Sequence, residues 1–64
     1  MSNREEELLK YIDKIVTYLI EDTYHYNWEF AIKLISIHYN SILDDFIKEN
    51  DPYDVAIEIG YCCG

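Results

Sequence analysis

The stretch from Asn27 to Glu49, NWEFAIKLISIHYNSILDDFIKE, constrains this chain most, because its apolar residues recur at the spacing of a long amphipathic helix. Trp28, Ile35 and Ile42 form one row at heptad spacing, and Ile32, Tyr39 and Phe46 form a second row four positions on. Together with Ala31 and Leu43 these rows make one broad arc, with His38 at its margin. Phe30, Leu34 and Ile37 add a shorter ridge on another side. A helix that is apolar on two sides needs two neighbours. Ser41 followed by Asp44 has the spacing of a capping box and marks an alternative break near Asn40 and Ser41. The rows keep phase across Asn40, however, so a continuous helix over 27–49 is the expectation.

The neighbours must come from the flanking segments. Ser2 and Glu5 have capping-box spacing, and Glu5, Glu6 and Glu7 place negative charge where a helix dipole favours it, which predicts a first helix over about residues 3–22. Its apolar positions, Leu8, Leu9, Tyr11, Ile12, Ile15, Val16, Tyr18, Leu19 and Ile20, cover about half the circumference, more than one partner helix can bury. The rest carries mixed charge and reads as a solvated face, with Glu6 and Lys10 at pairing distance along the helix. Residues Tyr24 to Asn27 make a link short enough for antiparallel neighbours, and Asn27 is a suitable N-cap. Asn50, Asp51 and Pro52 stop the central helix and, with Asp54, start a third over about 52–60, for which Gly60 is the expected stop. Val55, Ile57, Ile59 and Tyr61 also alternate as in a strand, but a lone strand would leave an unpaired edge. The expected architecture is all-α: one domain over 1–64, an antiparallel helical hairpin with a short third helix, forming a small three-helix bundle. Where the third segment is too small to cover both apolar surfaces, a homodimer is the next simplest cover.

A chain of 64 residues builds only a marginal core, yet 50% hydrophobic residues are too many for a disordered one. Thirteen acids against five bases give a net charge of −8, which repels nucleic acid and anionic membrane. The longest mostly apolar run, Ile15 to Ile20, is far too short to span a bilayer. The first residues lack the basic and apolar segments of a secretory signal, so a cytoplasmic protein with reduced thiols is expected.

No residue pattern points to catalysis or to a cofactor. His25 and His38 are the only histidines, and Cys62 and Cys63 are sequence neighbours rather than a spaced metal-binding or redox pair. A thiol or metal site drawn from these four is a minor alternative. Asp44 and Asp45 point in different directions on a helix and do not make an acid–base pair, and no phosphate or calcium loop is present. The expectation is a protein that is not an enzyme.

The distribution of charge is more informative. Residues 44–58 carry Asp44, Asp45, Glu49, Asp51, Asp54 and Glu58 against Lys48 alone, a local −5 of the total −8. Such concentration opposes folding by self-repulsion unless it is spread over the surface or relieved by a basic partner. Asp45 with Glu49, and Asp54 with Glu58, are like-charged pairs at helical spacing, separated much as phosphates are along a nucleic-acid backbone. A second candidate surface is the aromatic corner of Tyr24, Tyr26 and Trp28, residue types common at interface hot spots. These features lead to the expectation of a small acidic interaction module, a nucleic-acid mimic or immunity-type antagonist, that blocks a basic, nucleic-acid-binding partner protein. The alternative from another class is a structural helical homo-oligomer.

Overall fold

A computed structural model describes residues 3–63, with side chains over 3–61. Ser2 of the expected capping box and the thiols of Cys62 and Cys63 lie outside those described. Among the described residues the chain is helical apart from short links and contains no strand, so the strand alternative for the last segment falls away. The elements are α1 (Asn3–Thr17), a π-helical turn (Tyr18–Asp22), α2 (Trp28–Ile37), α3 (Tyr39–Ile47) and α4 (Pro52–Cys63).

α1 ends in the π turn after three consecutive β-branched residues, Ile15, Val16 and Thr17, which crowd the helix surface. The Thr23 N–H and Oγ1 both donate to the Tyr18 carbonyl, at 2.8 and 2.9 Å, and close the turn. The link then folds back, with Tyr26 N–H donating to the Leu19 carbonyl at 3.1 Å. Asn27 caps α2 as its position predicts, its side-chain oxygen accepting from Phe30 N–H at 2.8 Å.

The expected continuous helix over 27–49 is corrected. His38, with φ −101° and ψ 21°, leaves the helical region and divides it into α2 and α3. The break falls where intrinsic propensity is weakest, since Ile35 to Ser41 contains no strong helix former. It does not reset the phase, because bonds from His38 N–H to Leu34 and from Ile42 N–H to His38 span it, at 3.0 and 2.9 Å. Periodicity alone therefore could not reveal it.

α3 closes in a Schellman motif. The Glu49 N–H donates to Phe46 and the Asn50 N–H to Asp45, with Glu49 in the left-handed region at φ 61°. A glutamate there is strained, whereas glycine is not. Glu49→Gly is therefore expected to stabilise the fold by about 0.5 to 1 kcal/mol, net of the extra freedom glycine brings to the unfolded chain. A rise in the urea midpoint at constant slope would register it; a fall would refute the assignment.

α4 begins at Pro52 with Asp51 accepting from Tyr53 N–H at 3.1 Å, the start read from the sequence. Its expected end is corrected. Gly60 is not the stop but lies inside the helix, buried, with the Tyr24 ring in the space a Cβ would occupy.

The core consists of Ile15, Val16 and Leu19 before the link, Ala31, Leu34, Ile35 and Ile42 after it, and Val55, Ala56 and Ile59 from α4. The first half of α1 meets the end of α3 at Phe46, with Arg4 5.5 Å from the ring centre and the Tyr11 ring centroid 5.4 Å away, so α1 runs antiparallel to the pair α2–α3. The molecule is 35 Å long and 18 Å wide in both other directions. α4 covers one side of the hairpin. Tyr18 packs edge-on against Tyr53 at 5.1 Å, and the hydroxyls of Tyr24 and Tyr26 donate to the carbonyls of Ile57 and Gly60 at 2.9 and 3.2 Å. The other side stays open. Trp28, Ile32 and Tyr39, expected within the buried arc, are 60%, 40% and 42% exposed, because the buried face is rotated toward Ala31, Leu34, Ile35 and Ile42.

Candidate partner-binding surface

The six acids of the C-terminal run do not act as one patch. Four of them, Asp45, Asp51, Asp54 and Glu58, line a shallow groove of about 250 Å³ together with Asn50 and Val55. The groove forms because the Schellman turn folds the chain back after α3. That turn sets the half-buried Asp45 beside the N-terminal turns of α4, where Asp54 and Glu58 stand one helical turn apart.

The members of the groove differ in what they already hold. Asp45 accepts from the Asn50 side-chain amide at 2.8 Å, and Asp51 is committed to capping α4. Asp54 and Glu58 are exposed on the outer face of α4. No lysine or arginine lines the groove.

The other two acids lie elsewhere. Asp44 pairs with Lys48 at 3.0 Å on the exposed side of α3, and that contact raises the Lys48 pKa. Glu49 sits beyond the end of α3, so Asp45 and Glu49 are not successive on one helix face as the spacing predicted. It lines a second groove with Arg4, Glu7, Phe46 and Ile47, in which Arg4 stands 5.5 Å from the centre of the Phe46 ring.

Tyr11 belongs to the acidic side although nothing in the charge pattern singled it out. Its hydroxyl donates to the Asn50 carbonyl at 2.8 Å, and burial, followed by the fields of Asp45 and Asp51, pushes its pKa up to about 12. The available signal was its place on the broad apolar arc of α1, since a tyrosine packed there needs a partner for its hydroxyl. The fold favours neutral Tyr11, so the stability it contributes is present below pH 10 and is lost as pH rises through about 12. An ultraviolet titration should show a phenol ionising near pH 12, and Tyr11→Phe should remove that step and flatten the stability loss between pH 10 and 12. An unchanged titration would show that neither burial nor the two carboxylates shift this phenol.

The aromatic corner also divides. Tyr24 and Tyr26 stack at 5.1 Å with their planes 9° apart, and Tyr26 meets Phe30 edge-on at 4.6 Å. With both hydroxyls bonded to α4, these two tyrosines fasten the link to the third layer. Trp28 stands apart from that arrangement and is exposed.

Among the described residues no group of histidines, cysteines and acids is placed to hold a metal ion, and no helix is long and apolar enough to cross a membrane. Comparison of the chain with protein-family models, curated proteins and solved structures finds no match.

Proposed function

We propose that the protein is a small interaction module that blocks a basic, nucleic-acid-binding partner protein by presenting the carboxylates of the α3–α4 groove where that partner would take phosphates. The observation that carries this reading is the groove itself, in which a turn and a helix bring Asp45, Asp51, Asp54 and Glu58 together with no base among them. Like charges held close cost energy, and a cationic partner relieves that cost while the field steers its approach. The three-helix arrangement serves as the scaffold: two acids are fixed by local hydrogen bonds, and two are presented on the rigid outer face of α4.

The test is capture of partners from a lysate at low and at high salt, followed by binding kinetics with the captured protein. Changing Asp54 to Asn and Glu58 to Gln should slow association several-fold and weaken its salt dependence, with the fold intact, because exposed charges act mainly on encounter rates. Retention of a basic protein at low salt alone, lost in the double variant, supports the reading. Binding that ignores the two amides and fails in folded Trp28→Ala would move the working surface to the aromatic corner.

A further inference from the structure

The side of the hairpin turned away from α4 presents a second surface, independent of the acidic groove. Tyr18, which opens the π turn directly after α1, packs against α4, and Leu9 of α1 lies about 180° round the helix from it, 66% exposed. On α2, Phe30 packs on Tyr26, which is bonded to α4, while Trp28 and Ile32 lie about 160° round from Phe30. Both strips therefore face the same way, and half-buried Ile12 and exposed Tyr39 extend them along the two antiparallel segments. The result is an apolar strip between two rows of polar residues, the form of surface that takes an amphipathic helix.

Charge decides the occupant. The exposed charged residues nearest the strip are Glu5, Glu6 and Asp13 on α1 and Glu29 on α2, whereas Lys10 and Lys33 lie further round toward solvent. A second copy would bring the same acidic rims together on chains of net charge −8. An anionic lipid surface is repelled for the same reason. A helix with an apolar face flanked by lysine or arginine buries the strip and neutralises the rims in one contact.

We propose that this side of the hairpin receives a basic amphipathic helix of a partner protein, laid along the strip between α1 and α2–α3. The proposal goes beyond the acidic-groove reading and does not depend on it.

Trp28 is the only tryptophan in the chain and lies in the strip, so its fluorescence reports occupancy directly. The probe is a synthetic helical peptide of leucine and lysine with leucines on one face, titrated into the intact protein at moderate salt. The controls are a scrambled peptide, a version with glutamate for lysine, and vesicles of phosphatidylcholine with phosphatidylglycerol. A saturable blue shift with the basic helix alone is expected, weakened about tenfold or more by Leu9→Asp and, separately, by Ile32→Asp. Both sites are exposed, and circular dichroism verifies that each variant remains folded. The Asp54→Asn, Glu58→Gln double variant should bind the peptide within about threefold of the parent, which separates this surface from the groove. No shift with the basic helix overturns the proposal, as does an equal response to the scrambled or acidic peptide or unchanged binding in folded Leu9→Asp and Ile32→Asp. Preferential binding to vesicles, or a dimer at micromolar concentration that already hides Trp28, overturns it in favour of another occupant.

Discussion

Ile42→Ala is expected to destabilise the fold by about 2 to 5 kcal/mol, the range for emptying a packed aliphatic site. Ile42 has no exposed surface, sits just beyond the interruption at His38, and carries the buried face of α2 on into α3. A domain of this length has a total stability on the order of 3 to 10 kcal/mol, so the change should remove much of it and leave a large unfolded population at room temperature. Urea unfolding followed by circular dichroism measures the loss, and Ile42→Val, at about 1 kcal/mol, calibrates it. A cost below about 1 kcal/mol for the alanine variant would mean that α3 is not packed as described.

Gly60→Ala should also destabilise, against the ordinary preference of a helix for alanine. In a free helical position that exchange stabilises by about 1 kcal/mol. Here the new methyl group enters the Tyr24 ring, and overpacking of this kind costs roughly 1 to 3 kcal/mol. The ring cannot simply swing aside, because it stacks on Tyr26 and its hydroxyl is bonded to Ile57. Removing the ring should reverse the sign: in a Tyr24→Ala background, Gly60→Ala is expected to stabilise by about 1 kcal/mol. The four urea midpoints of this cycle test the packing of the link on α4. Equal effects of Gly60→Ala in the two backgrounds would contradict it.

Helical identity and most of the starts were readable from the residues because they depend on local chemistry. Asn27 and Asp51 are caps wherever the chain places them, and Pro52 suits a first helical turn. The interruption at His38 was not readable from periodicity, since the hydrogen bonds across it preserve the phase that periodicity detects. Gly60 was misread as a stop because its reason lies 36 positions earlier, in the Tyr24 ring that occupies its missing side chain. For the candidate surface, residue counting found the acids. It did not sort them: the division between Asp45 and Glu49 depends on a left-handed residue beyond α3 that spacing does not show, whereas the pairing of Asp44 with Lys48, four positions on, was open to residue counting. Trp28, Ile32 and Tyr39 belong to the pattern that identified the central helix, yet the neighbours meet its adjacent face.

The tyrosines that fasten this molecule end on main-chain oxygens: Tyr11 on Asn50, Tyr24 on Ile57 and Tyr26 on Gly60. A bond to a carbonyl does not read the side chain of the residue that supplies it. The outward residues of α4 can therefore be exchanged without loosening these ties, whereas at buried Gly60 bulk is excluded. Such a scaffold tolerates substitutions on its outer helix while its fastening persists, so chains with the same backbone can carry quite different surfaces.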